Sequence, residues 1–249
     1  MAEITHLSKA PITEAIIDIR IDPAVNFPEK SLTHLKETLA KDYPNVEPRH
    51  LAKIEFSIMP PEIKGLEKPP QNLGLHGYFF KSEDQRNIVQ FRVDGFTLNR
   101  LKPYSSWAVI SEEAKRLWHI YVDVLTPNIV TRIAVRYINH MRFTLPVQSI
   151  ERYFVVSPHI PEGLPNHFSS FLNKVVLQDK ATGIEANVTM NLEAVHSNEG
   201  AVIFDLDVYK KVNLSPDDIK IWQTFEQLRD MKNRIFFGYI TEETIKDFQ

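Results

Sequence analysis

The chain has 249 residues, 43% hydrophobic and 24% charged, an ordinary globular composition that suffices for one large domain or two fused halves. A net charge of −3 and a pI near 6.3 give no global basic excess for nucleic acid and no acidic tail for a basic partner. Without cysteine, disulfides and thiolate metal sites are excluded, and no apolar run approaches the length of a bilayer span.

The start, MAEITHLSKAPITEA, has no basic stretch followed by an apolar core, so a cytoplasmic protein without a signal peptide is expected. Ala15, Ile17, Ile19 and Ile21 then alternate with Glu14, Asp18 and Arg20, the pattern of a half-buried strand. Ser31 opens a short amphipathic helix carrying Leu32, Leu35 and Leu39. Ile54, Phe56 and Ile58 predict a second strand, stopped by Pro60-Pro61, with a proline-bounded loop to Pro69-Pro70 and a third strand over 77–81.

In NIVQFRVDGFTLNRL, Asp94-Gly95 between two alternating runs predicts a two-residue hairpin turn, with Val93 opposite Phe96, Phe91 opposite Leu98, Arg92 opposite Thr97 and Gln90 opposite Asn99. Ser105 or Ser106 caps a long helix whose apolar stripe is Trp107, Ile110, Ala114, Leu117, Trp118, Tyr121 and Leu125, ended by Pro127.

The run VTRIAVRYINHMRF, 130–143, is the clearest strand of all. Ile133, Val135, Tyr137, Met141 and Phe143 take one side; Arg132, Arg136, His140 and Arg142 take the other. A short helix near Ser149 to Phe154 and the proline-rich loop SPHIPEGLP follow. Strands over 171–178 and 184–193 are joined by DKATG; HSNEG turns the chain into a strand over 201–209. Ser215-Pro216-Asp217-Asp218 then reads as the start of a helix carrying Ile219, Trp222, Phe225, Leu228 and Ile235 or Phe236.

Each half therefore reads strand, short helix, antiparallel strands, long helix. The expected fold is α+β: two pseudo-repeated halves, about 1–127 and 128–249, forming one domain with a curved antiparallel sheet backed by two long helices. Such a duplicated unit resembles the saddle-shaped folds of the TATA-binding-protein and helix-grip type, a likeness of fold alone.

If the helices cover the apolar face, the other face carries Glu14, Asp18, Arg20, Lys53, Glu55, Gln90, Arg92, Thr97, Asn99, Arg132, Arg136 and His140. The second half adds Glu185, Asn187, Thr189, Asn191, Asp205 and Asp207. Arginines there suit carboxylate or phosphate oxygens, which the guanidinium fork meets bidentately. The expected ligand contacts are Arg92, Arg132 and Arg136, with Gln90 and Asn99 orienting. Asn139 falls on the apolar side and so requires a bulge, a buried partner or the sheet edge.

Catalytic signatures are scarce. The sequence has eight glycines and no phosphate loop, no G-x-S-x-G elbow and no H-E-x-x-H helix. His159 and His167 share a loop at a spacing that matches no ligand pattern. Asp18, Asp205 and Asp207 are the carboxylates that could serve a divalent cation. Ile16-x-Asp18-x-Arg20 resembles the opening strand of the triphosphate-tunnel enzymes, with Ile16 and Arg20 in place of an acid and a lysine. Lys102, Tyr104 and Trp107 combine charge with aromatic rings, but Trp107 lies on an apolar stripe. Asn233 and Arg234, in DMKNRIFFGYIT, read as a site or as a helix end.

The segments HLSKAPITEAIIDIR, GYFFKSEDQRNIVQFRVDGFTLNRLKPYSSW, RIAVRYINHM and LRDMKNRIFFGYITEE together resemble a sporadically distributed family of uncharacterised prokaryotic proteins. The run 77–107 and Arg136-Tyr137-Ile138-Asn139 are the most specific parts. Covering nearly the whole chain, the resemblance implies a prokaryotic source and one integral unit; it brings no assigned activity and no site residues.

The expected function is a non-enzymatic binding protein that holds a small anionic ligand, or a protein partner, on the polar sheet face. One alternative is a metal-dependent hydrolase of phosphoanhydrides using Asp18, Asp205 and Asp207. Another is a structural or regulatory partner acting through an apolar patch at Phe236, Phe237 and Tyr239. No cofactor, membrane or nucleic-acid partner is expected; a second copy of the chain is a candidate partner.

Overall fold

Alternation along the strands and apolar stripes along the helices sort this chain into an α+β fold, described by a computed structural model over residues 7–23, 29–53, 71–144, 150–164, 170–196 and 199–249. The strands are β1 (Ile12–Ile21), β2 (Asn45–Lys53), β3 (Gln71–Lys81), β4 (Asn87–Arg92), β5 (Gly95–Leu101), β6 (Val130–Thr144), β7 (Phe171–Asp179), β8 (Ile184–His196) and β9 (Glu199–Leu214). The helices are α1 (Glu29–Leu39), α2 (Trp107–Leu125), α3 (Lys220–Tyr239) and α4 (Glu242–Phe248). Among the described residues no helix is long and apolar enough to cross a membrane.

The nine strands among the described residues join one sheet in the order β2-β3-β4-β5-β1-β6-β9-β8-β7, and every neighbouring pair is antiparallel. The centre of the sheet is a pairing between segments far apart in sequence: β1 bonds to β5 on one side and to β6 on the other. The alternation read from β1 and β6 holds, since Ala15, Ile17, Ile19, Ile133, Val135, Tyr137 and Met141 are all buried. Asn139, also buried, donates from its amide to the Phe204 carbonyl at 3.0 Å, beside an irregularity in the β1–β6 register between Ile12 and Glu14.

α2 forms where its stripe predicts, with the Ser106 hydroxyl accepting from the Val109 amide and every stripe residue buried. Trp118 and Tyr121 stack at 5.2 Å and meet Phe96 and Phe91 of the hairpin edge-on, while the Tyr121 hydroxyl donates to the Arg92 carbonyl at 2.8 Å. α3 sets Phe236 and Tyr239 against Phe204 of β9, with ring centres 6.0 and 5.5 Å away. Trp107 of α2 donates to Glu226 of α3 at 2.6 Å, tying the two helices together. Rings arranged this way add roughly 0.5–1.5 kcal/mol per pair beyond their area burial.

Several local expectations differ from the structure. The hairpin turn is Val93-Asp94, not Asp94-Gly95: Arg92 pairs with Gly95 and Phe91 with Phe96. The turn moves back by one residue and the pairing register changes by two, so the residues that remain in the two strands keep their predicted faces. The cause is Gly95, which joins the strand because its backbone presses against β1, where a Cβ would lie 2.3 Å from the Ile19 carbonyl oxygen. α3 begins at Lys220, since Ser215 to Asp218 close a turn on themselves, Asp218 N bonding Ser215 O at 3.0 Å. Ile219 is consequently exposed, and Ile221 takes the buried place. Phe236 and Phe237 are buried too, so they are core rather than a surface patch. α1 starts at Glu29, and where a short helix is expected up to Phe154 the described residues form a 3-10 turn over Ile150–Arg152. The strand predicted through Ile54, Phe56 and Ile58, the prolines to Pro70, Ser149, Glu55 and His167 lie outside the described residues.

Candidate functional site

One row of directly paired residues crosses the polar face of the sheet. Arg49 of β2 pairs with Gly77 of β3, Gly77 with Arg92 of β4, Arg92 with Gly95 of β5, Gly95 with Arg20 of β1, and Arg20 with Arg132 of β6. Residues directly opposite share a face, so the row puts four guanidinium groups side by side. The two glycines between them carry no side chain, which leaves room for long side chains from both neighbours. Both sit at positive φ, 156° at Gly77 and 152° at Gly95, and a Cβ at either would collide with backbone.

Carboxylates stitch this row together. Asp18 meets three arginines: Arg92 at 3.1 Å, Arg20 at 3.0 Å and Arg132 at 3.2 Å. Its Oδ1 also accepts from the Thr97 hydroxyl at 2.7 Å. Asp94 accepts from Arg92 at 2.9 Å and Arg20 at 2.6 Å, and His76 approaches it at 3.0 Å. Arg132 also reaches both oxygens of Asp207 at 3.1 Å and lies 4.4 Å over the Tyr209 ring. Arg136 holds Asp205 in a bidentate pair at 2.9 and 2.6 Å.

Electrostatics follow from the burial. Burial alone would raise the Asp18 carboxyl, but Arg92, Arg20, the Thr97 hydroxyl and Arg132 outweigh it and hold the pKa below the ordinary value. Asp94 is lowered in the same way: burial opposes, and Arg92 with its hydrogen bond, Arg20 and His76 prevail. His76 goes down, because burial together with Arg49 and Arg92 outweighs the pull of Asp94.

The expected ligand contacts, Gln90, Arg92, Asn99, Arg132 and Arg136, all line a single cleft of about 590 Å³ on this face. They are not equally open to a ligand. Arg92 is only 2% exposed, and its nitrogens are engaged by Asp94, Thr97 at 2.5 Å, Gln90 at 3.2 Å and Asp18. Gln90 donates to Asn99 at 3.1 Å, and Asn99 donates to Glu14 at 2.6 Å, so the two amides are fixed in one chain. Asp18 and Asp207 line the cleft as arginine partners, and Asp205 belongs to Arg136. Among the described residues, no group of three or more acids or histidines converges as metal ligands would.

Arg49 is the cleft residue that sequence periodicity does not reveal. It sits on β2 next to Pro48, in a stretch where polar residues give no alternation; proline is tolerated there because β2 is an edge strand. Its guanidinium donates to Gln90 and lies 5.5 Å from the Phe79 ring centre. Among the described residues no carboxylate is in ion-pair contact with it. Burial and then Arg92 push its pKa down, with Asp94 opposing, the mark of a positive charge short of compensation. Against models of known protein families and against curated proteins, the chain finds no match.

Proposed function

We propose that this protein binds a small anionic ligand, a phosphate- or carboxylate-bearing metabolite, in the arginine cleft of its sheet, without catalysing a reaction on it. Arg49 is the observation that carries the proposal. It lines a cleft that holds five arginines and two aspartates, and among the described residues no carboxylate forms an ion pair with it. A ligand oxygen placed there would complete the row without breaking an existing ion pair. Arg132 and Arg136, already fixed by aspartates, would present their remaining donors in a set geometry, so little side-chain entropy is lost on binding. The volume suits a small molecule.

Titration calorimetry with inorganic phosphate, pyrophosphate and citrate at low ionic strength tests this. At least one anion should bind, with affinity falling as salt is raised. Arg49→Ala should weaken that binding about tenfold or more, roughly 1.4 kcal/mol. Binding unchanged by Arg49→Ala, or no binding by any of the three, would sink the proposal.

The same reading takes the chain as one integral domain of two pseudo-repeated halves, with a curved sheet backed by α2 and α3. Its support is the strand order: outward from the β1–β6 pair run β5, β4 and β3 on one side and β9, β8 and β7 on the other.

A further inference from the structure

A second cavity, about 400 Å³, opens away from the arginine cleft, where the chain around Pro11, the 104–107 segment, β6 and α3 meet. Two of its lining residues break the periodicity of their own elements. Along α3, Ile221, Phe225, Leu228 and Ile235 form the buried stripe, and helical spacing puts Lys232 between the last two. Along β6, Tyr137 and Met141 are apolar-face residues, and Asn139 stands between them. Polar groups at apolar positions on two separate elements thus point into one space, the kind of local inconsistency that functional sites carry.

The lysine is poorly compensated. Its Nζ donates to the amide oxygen of Asn233 at 2.5 Å and lies 4.1 Å over the Tyr137 ring. Among the described residues it forms no ion pair. The nearest charged lining residue is Arg229, which is itself cationic and reaches Glu226 at 3.4 Å. Tyr104 and Tyr137 hydrogen bond hydroxyl to hydroxyl at 3.2 Å beneath the same cavity, and burial raises both pKa values, so both stay protonated at neutral pH. Burial first, and Arg229 second, depress Lys232 to about 7. A large share of the amine is thus uncharged, with a free lone pair, at neutral pH.

We propose that this cavity is a carbonyl-binding site in which Lys232 forms an imine with a small aldehyde or 2-oxo acid. The Nζ lone pair attacks the carbonyl carbon, and a nitrogen-bound proton passes to the resulting alkoxide to give a carbinolamine. Loss of that hydroxyl as water leaves the C=N bond, so the balance is amine plus carbonyl to imine plus water. The Tyr104–Tyr137 hydroxyl pair is placed to donate to the departing oxygen, and Arg229 to take a carboxylate on the ligand. This site is independent of the anion cleft, and the two can fail separately.

The test is reductive trapping on the whole chain. Glyoxylate with cyanoborohydride at pH 7, followed by peptide mass spectrometry, should place a carboxymethyl group on Lys232 about tenfold faster than on surface lysines, whose amines stay protonated. The rate at Lys232 should rise to a plateau above about pH 7, whereas surface lysines keep rising toward pH 10. Arg229 on the same helix, Tyr137 on β6 and Tyr104 on the connecting segment are the titratable or charged groups facing it from the lining. Lys232→Met, apolar on an apolar stripe, should fold and lose the fast adduct; Tyr137→Phe should fold and slow it. Propanal in place of glyoxylate reports the part of the rate that needs no carboxylate. Modification spread over surface lysines by exposure, or a Lys232 rate with an ordinary lysine pH profile, would overturn the proposal.

Discussion

Burial would push the Asp18 carboxyl up, yet Arg92, Arg20, Thr97 and Arg132 together bring it down. Because the folded pKa is the lower one, the folded state binds this proton less readily than the unfolded chain. The stabilisation is then present above the unfolded value, about 3.9, and is lost as pH falls through the folded value. Asp18→Asn leaves three guanidinium groups around a neutral amide and should cost about 3 kcal/mol at pH 7 in urea unfolding. The gap between variant and parent should narrow as the pH falls below about 4, where the unfolded chain takes up the proton, and close only below the lower folded value, where the native carboxyl is protonated too. Asp18 is legible in the sequence, since it sits on the polar side of an alternating run. Lys232 is legible too, as a cation at an apolar position of a helical stripe, but only once the stripe is drawn through Ile221 rather than Ile219. Arg49 is not legible: nothing in its own neighbourhood distinguishes a polar edge strand from a loop.

The hairpin and its neighbours show where local rules reach their limit at the scale of elements. Asp-Gly is a strong turn signal by itself. Here Asp94 is drawn toward Arg20, Arg92 and His76, and Gly95 is needed where two backbones nearly touch, so the turn moves back by one residue. The competing influence comes from β1, more than seventy residues away, as the 74-residue separation of Arg20 and Asp94 records. Gly95→Ala should accordingly lose about 2 kcal/mol or more, read as a fall in the thermal midpoint, because the new Cβ meets the Ile19 carbonyl at positive φ. Helix α2 was fully legible because its cap, stripe and stop all lie within its own sequence. Helix α3 was legible in its body and not at its start: Ser215 to Asp218 close a turn, and only Asp218 reaches the helix, its carboxylate accepting from the Lys220 amide at 2.8 Å.

The central pairing is a property of the whole molecule, and no window of sequence announces it. Periodicity marks β1 and β6 as strands with one apolar face each; it does not say that they are partners. In the sheet, β1 pairs with β6 along its whole length, Ile12 to Ile21 against Asn139 to Val130. A fragment ending near residue 127 would retain β1 to β5 but leave one side of β1 open, with Ile17 and Ile19 losing cover from β6. Expressed alone, it should aggregate or remain unfolded, which circular dichroism and gel filtration would show; a monomeric, cooperatively melting fragment would speak against a single integral domain.

The seam between β1 and β6 also sets the order in which a newly made chain can assemble. Asp18 and its partner Arg132 lie 114 residues apart, so β1 leaves the ribosome long before the strand that completes it. At about 5–20 residues per second, that interval lasts several seconds or more. During it the β4–β5 hairpin and α2 can form, since their contacts are close in sequence, while the outer hydrogen-bonding edge of β1 waits unsatisfied. The nascent chain is therefore most exposed to wrong pairing in the window between synthesis of the two central strands, and slowing translation there would lengthen that risk.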